Sequence, residues 1–325
     1  MGMTVASCRF IIEACRSGWV PGRVLTLGRQ DLAVSPERLV HLLLEAAPVP
    51  SAADRERWLT ELCPGLRRFE RFLKLLGADS VEAVDASSYE KADLLHDFNR
   101  PIPAAWEQQY DLVLDGGTLE HVFDFPTAIR NCMKLVRVGG RLMLFTPANN
   151  YCGHGFYQFS PELFYRVLAP ENGFEVERLQ AIVDAAGFSQ LLGVKYAFPI
   201  TGRRFEVADP RQVRERVLLV NREPVLLFVQ ARRTARVDPL RSLPQQSDYV
   251  EQWATGAPPQ PLQQSGAAKA LSDWLVRFLG ERFCRETLPR LAVILDPFRR
   301  RRFFRQLSFA NRRHYRGVSE CRGPQ

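Results

Sequence analysis

Tyr110-Asp111-Leu112-Val113-Leu114-Asp115-Gly116-Gly117 is a short run, apolar in its middle and closed by an acid and two glycines. Such a run predicts a buried strand that delivers a carboxylate and a tight turn to one edge of a sheet. The same pattern recurs upstream. Arg23-Val24-Leu25-Thr26-Leu27 stops at Gly28, and Val81-Glu82-Ala83-Val84 stops at Asp85. A third run, Ala92 to Asp97, is ended by the segment Asn99 to Pro103. Downstream, the apolar spacing predicts a helix from about Pro126 to Val136. Gly139-Gly140 is then expected to turn the chain into a fifth strand, Arg141 to Phe145, ending at Thr146-Pro147.

Strands alternating with helices predict a parallel sheet covered on both faces. Ser35 to Leu76 carries apolar residues near 3.6 spacing and predicts helices inserted between the first two strands, about 35–77, with Gly77 as the stop. Ser160 followed by Pro161 predicts a capped helix through Leu168. Gly173 to Leu179, Leu191 to Tyr196 and Pro224 to Gln230 are further strand candidates. Ser242 to Gly266, rich in Pro, Gln, Ser and Gly, reads as a linker, and Leu271 to Leu279 and Thr287 to Leu295 as helices. The expected division is therefore a domain over 1–240, a linker over 241–266 and a helical, basic extension over 267–325.

Ligands of an open parallel sheet bind beyond the carboxyl ends of its strands. Here those ends are Gly28, Asp85, Asp97 and Asp115-Gly116-Gly117. A bare backbone after the first strand admits close approach of a ligand. An acid after the second can accept both ribose hydroxyls, and an aspartate after the third an adenine amino group. The set suits a nucleoside that has no phosphate to cradle. No GxGxxG follows the first strand, which weighs against a dinucleotide-binding dehydrogenase.

The stretch Val81 to Asn150 resembles the class I S-adenosylmethionine-dependent methyltransferases. The resemblance is carried by Ala92 to Asn99 with Pro101 and Pro103, by Asp111-Leu112-Val113 with Leu119-Glu120-His121-Val122, and by Leu135 to Leu142 around Gly139-Gly140. It implies a Rossmann-like α/β fold with a seven-stranded, mostly parallel sheet whose last strand is antiparallel. It also implies S-adenosylmethionine as cofactor, with Asp85 on the ribose, Asp97 beside adenine, Gly28 under the methionine part, and Asp115 and Gly116 below the sulfonium. Arg29 and Gln30 then lie in the cofactor loop, where the family usually carries further glycines. The altered loop motivates a rival expectation: a methyltransferase-like binding or scaffold protein without catalysis.

Asn149 to Ser160 follows the fifth strand and lies on the same rim. Imidazole titrates near neutrality, so His154 and His121 are the expected bases toward the acceptor. Asn150, Tyr157 and Gln158 are the expected acceptor contacts. The acceptor is expected to be a small molecule, a sugar or a lipid-linked glycan.

The seven cysteines form no CxxC pair, so neither a disulfide framework nor a metal site is expected, and a cytoplasmic setting fits. No stretch reaches about 18 apolar residues, and the apolar run Phe10 to Ala14 is flanked by Arg9 and Arg16 and broken by Glu13, so neither a membrane span nor a signal peptide is expected. The formal charge of +8 is concentrated toward the C-terminus, where Arg299 to Arg305 precedes Arg312, Arg313 and Arg316. Arginines interleaved with phenylalanines suit peripheral contact with an anionic membrane, and less well nucleic acid.

Overall fold

The computed structural model describes residues 3–32, 34, 42, 56, 69–183, 203–221, 223–256, 274, 277 and 307–318. Its centre is a mixed sheet of nine strands: β1 (Gly22–Leu27), β2 (Ala78–Asp85), β3 (Leu94–Leu95), β4 (Tyr110–Asp115), β5 (Val136–Asn149), β6 (Phe174–Val183), β7 (Arg204–Val207), β8 (Val225–Arg233) and β9 (Tyr315–Gly317). Their order is β3-β2-β1-β4-β5-β8-β6-β7-β9. The pairings among β1 to β5 are parallel. Those of β8 with β5 and β6, of β6 with β7, and of β7 with β9 are antiparallel.

Strand alternation builds two cores. Leu25, Leu27, Val113, Leu142 and Leu144 point to one face, where α3 (Phe125–Leu135) and α4 (Pro161–Val167) bury Ile129, Cys132 and Phe164. Val24, Leu112, Leu114, Met143 and Phe145 point to the other, against α1 (Val5–Cys15) and α2 (Phe69–Leu75). Helix α1 starts in a reciprocal Thr4–Ser7 cap. Its Phe10 ring meets Phe145 and Phe228 edge-on at 5.8 and 5.6 Å. Glu13, near the end of α1, pairs with Arg178 of β6 and Arg204 of β7, which fixes the helix across the sheet.

Four expectations change. Among the described residues the sheet has nine strands, not seven, and half of its neighbour pairings are antiparallel, because β7 and β9 extend the far edge and β8 runs against both its neighbours. Gly139-Gly140 does not precede the fifth strand but lies inside it. The pairing jumps there from Tyr110↔Val136 to Leu112↔Arg141, a bulge that absorbs the glycines. The third strand is two residues long, since Asp93 is spent capping the β2 edge through Ala83 N–H. The supposed linker contains α6 (Ser247–Thr255), docked on α4 by Ser247 bonding Glu162 and on the preceding loop by Asp248 pairing with Arg216. Its polar composition hid it, for no residue of the helix is buried.

A further short helix is α5 (Pro210–Val213), capped by Asp209. Arg312, Arg313 and Arg316 belong to the returning segment 307–318. Phe309 stacks on Phe205 there at 4.2 Å, and His314 and Arg313 meet Glu215. Of the expected insertion over 35–77, α2 and Gly77 are described; the rest of it apart from residues 42 and 56, the strand candidate Leu191 to Tyr196, the helix candidates after 266 apart from residues 274 and 277, and the cluster Arg299 to Arg305 lie outside the described residues. Among the described residues no helix is long and apolar enough to cross a membrane.

Candidate functional site

Register places the rim. In β1, Leu27 pairs with Val84 on one side and with Asp115 on the other. Asp85 in turn pairs with Leu95. Gly28, Asp85 and Asp115-Gly116 therefore emerge side by side at the carboxyl end of three adjacent parallel strands. The chain leaves β1 for β2 in one direction, and β4 lies on the other side, which makes this the switch point of the sheet.

Gly28 is buried and has φ +69°, a conformation that glycine adopts without strain. Its N–H donates to Val84 O at 2.7 Å, which locks the turn to β2. A Cβ built there would lie 3.4 Å from Thr118 Oγ1, 3.5 Å from Gln30 Nε2 and 3.9 Å from Asp85 Oδ2. The structure thus brings Gly28, Gln30, Asp85 and the β4 turn into one small neighbourhood. Asp85 is half-buried, and its Oδ1 accepts from Ser87 N–H at 3.2 Å.

Gln30 and Arg29, unusual in this loop, have distinct placements. Gln30 is buried, donates to Leu27 O at 2.9 Å, and lays its amide over Gly116. Arg29 turns away, to Glu70 of α2 at 2.6 Å and to Asp93 and Lys91 O at 2.9 Å. Its guanidinium clamps α2 and the β3 approach to the loop. A Cβ on Gly116 would sit 2.6 Å from Gln30 Oε1. Gly116→Ala should therefore cost about 1–2 kcal/mol by displacing a buried, hydrogen-bonded amide. In a Gln30→Ala background the same change should be nearly free. Urea unfolding of the double-mutant cycle checks this, with an expected coupling of about 1 kcal/mol.

Asp97 stands apart. It is half-exposed, and its Oδ1 accepts from Asn99 N–H and Asn99 Nδ2 at 2.9 and 2.8 Å. Those bonds hold its carboxyl below the usual range. Next to it Phe98 is buried, and the His96 ring lies edge-on to Phe98 and Trp106, an apolar-walled shelf beyond β3.

Beyond β4 the chain turns through Leu119–His121. Asp115 is fully buried, and its Oδ1 accepts from Thr118 N–H at 2.8 Å. Glu120 is also fully buried, and among the described residues neither of its carboxylate oxygens has a hydrogen-bond partner. Burial pushes both carboxyls up, and the charge of Asp115 pushes Glu120 further.

The loop after β5 folds over this turn. Phe156 N–H and Tyr157 N–H both donate to Glu120 O, at 2.8 and 3.3 Å. His154 Nε2 consequently lies 3.4 Å from Glu120 Oε1, and His121 Nε2 lies 3.8 Å from it. The two imidazoles are tilted against each other, 5.2 Å between centroids, with Tyr151 edge-on to His154 at 5.6 Å. Burial lowers the pKa of both histidines, and His121 lowers that of His154 a little more. The lowered pKa favours the neutral rings, which offer lone pairs.

The expected acceptor contacts are used by the fold, tying the loop to itself and to neighbouring segments. Asn150 Nδ2 bonds Asn221 and Glu223 O, Gln158 Oε1 accepts from Tyr151 N–H, and Tyr157 OH donates to Phe123 O at 2.6 Å. They shape the strap that carries His154. Sequence reasoning missed Glu120 as a site residue. The signal was there: an acid directly before His121, in the turn that follows a strand already assigned to the rim.

No protein-family model matches the chain, and no curated protein does. Solved structures align with it at low similarity. One is a 1,6-didemethyltoxoflavin-N1-methyltransferase of Burkholderia thailandensis with bound 1,6-didemethyltoxoflavin and S-adenosylhomocysteine. It is 15% identical, with 71% of this chain and 78% of that one covered, at a TM-score of 0.34. Another is a branched-chain polyamine synthase of Thermus thermophilus in complex with N4-aminopropylspermidine and 5′-methylthioadenosine. It is 13% identical, with 76% and 63% covered, at a TM-score of 0.34. A third is TehB of Haemophilus influenzae, 14% identical, with 69% and 61% covered, at a TM-score of 0.33.

Proposed function

We propose that the chain is an S-adenosylmethionine-dependent methyltransferase acting on a small-molecule, sugar or lipid-linked glycan acceptor. The observation that carries the reading is the in-register arrival of Gly28, Asp85 and Asp115-Gly116 at the switch point of the parallel strands. The residues fit the cofactor. Gly28 presents bare backbone, and Asp85 Oδ2 faces it at 3.9 Å from where a Cβ would stand. Asp85 would hold the ribose hydroxyls and Asp97, beside the Phe98–His96 shelf, the adenine edge. Gln30 forms the floor over Gly116, and Arg29 acts indirectly by holding the loop in place.

When bound, the cofactor supplies a sulfonium methyl: the acceptor heteroatom bonds to that carbon, the sulfur–methyl bond breaks to leave a neutral thioether, and the acceptor's proton is released. The protein's part is to align the acceptor and receive that proton. Neutral His154 and His121, on the strap and the turn beside Asp115, are the groups able to receive it. In this reading residues 1–240 form the catalytic unit, completed at its far edge by β9.

Calorimetry with S-adenosylmethionine tests the proposal. Micromolar binding by the folded chain supports it. A folded chain that takes up none is a binding or scaffold protein, and the enzyme reading falls. A product-mass screen with labelled cofactor and candidate sugars and lipids then identifies the acceptor.

A further inference from the structure

We infer that Glu120, His121 and His154 form a binding site for a divalent transition-metal cation of the zinc or manganese class. One carboxylate oxygen and one nitrogen from each imidazole all lie within 4.8 Å of one another. Three ligands around a zinc ion, at bonds of about 2.0–2.1 Å, stand roughly 3.3 Å apart. Glu120 Oε1 is already 3.4 Å from His154 Nε2 and 3.8 Å from His121 Nε2. Small rotations of two ring-bearing side chains would close the triangle.

A second observation points the same way. Glu120 is fully buried, and among the described residues neither carboxylate oxygen has a hydrogen-bond partner. His154 Nε2 is likewise buried and unbonded, and both face the same point. Buried carboxylates are normally paired or coordinate metals. Here the adjacent buried carboxylate of Asp115 adds like charge, so a cation would relieve two groups together. The donor set is informative. Two imidazoles with one carboxylate suit zinc, manganese, iron or nickel, whereas magnesium and calcium prefer all-oxygen sets.

The positions of the ligands are built into the fold. Glu120 and His121 come from the turn after β4. His154 is brought over them by the strap, whose Phe156 and Tyr157 N–H groups are pinned to Glu120 O. Three protein ligands leave at least one coordination position open, as in catalytic rather than structural sites. On the methyl-transfer reading, that position would take the acceptor's hydroxyl or amine and lower its pKa. Coordinated histidines would then serve as ligands, and the acceptor's proton, made more acidic by the cation, would leave to solvent. The role rests on that reading; the binding does not.

The test uses the full chain, stripped with chelator and dialysed, titrated with Zn2+ by calorimetry and with Mn2+ by loss of the free-ion paramagnetic resonance signal. One ion per chain is expected with either probe. Glu120→Gln and His154→Ala should each weaken binding by about 100-fold, and the surface change Glu171→Gln should leave it unchanged. Glu120→Gln keeps the side chain's shape and removes its charge, so loss of binding in a folded variant reports ligation. Failure of either ion to bind the folded chain overturns the inference. So does binding that survives both substitutions, since the ion would then lie elsewhere. S-adenosylmethionine titrated into the same metal-free protein separates the two proposals: cofactor uptake with no metal site leaves the methyltransferase reading standing, and the converse leaves the metal site.

Discussion

Asp85→Ala is expected to weaken S-adenosylmethionine binding by about 100-fold or more, with little change in the urea midpoint. Each hydrogen bond to an ionised carboxylate contributes about 1.5–3 kcal/mol, and two ribose hydroxyls would share this one. A loss of about 3 kcal/mol corresponds to a factor of about 100. Stability should hardly respond. Asp85 is half-buried, and among the described residues the hydrogen bond the fold takes from its side chain is one of 3.2 Å from Ser87 N–H. Asp97→Ala should cost the cofactor less, about 10-fold, because Asp97 is half-exposed and its Oδ1 is occupied by Asn99. Isothermal titration on both variants, beside urea unfolding, reads the contrast. Unchanged affinity in Asp85→Ala would remove the nucleoside from this rim.

The strand ends were legible because burial and turn chemistry coincide there. Tyr110 to Asp115 is read from sequence as the strand the structure contains, since an apolar run between an acid and two glycines admits few alternatives. The helix over Phe125–Leu135 and the Ser160 cap followed from periodicity and capping chemistry in the same way. What sequence could not show was pairing. Strands β7 and β9 are four and three residues long and join across more than a hundred positions, with no local pattern to announce them. Helix α1 was also missed, because its polar start hides a Thr4–Ser7 cap and its apolar face reads simply as a broken run. In the site, Glu120 was obscured by His121. A histidine in a rim turn draws attention as a base, while the value of its neighbour appears only when burial leaves both carboxylate oxygens without a hydrogen bond.

The largest stability effect is expected away from the site, at Arg233. This residue ends β8 and is 3% exposed. Its guanidinium donates to five carbonyls: Met133 O, Lys134 O, Val136 O, Ala235 O and Val237 O. Three of these are at the end of α3 and just beyond it, where a helix leaves acceptors without intrahelical donors and where its dipole favours a cation. Burial lowers the pKa of Arg233, yet a guanidinium stays charged at any working pH. Arg233→Ala therefore removes every one of these bonds and strands buried carbonyls. The expected cost is about 3–5 kcal/mol, a fall in Tm of roughly 6–15 °C. Arg233→Lys should recover less than half, because an ammonium cannot span carbonyls from two segments. Cofactor affinity, measured on protein still folded at low temperature, should stay within about two-fold. The pairing explains why: Arg233 lies opposite Phe174 at the start of β6, and its neighbour Arg232 lies opposite Arg141, whereas the far end of β8, Val225, meets Asn149 at the rim. Arg233 thus closes the amino end of the parallel strands, while Asp85 and Asp115 stand at the carboxyl end. If Arg233→Ala destabilised the fold and abolished binding in protein shown to be folded, the two ends of the sheet would be coupled, and the rim could not be treated as a site carried on a rigid scaffold.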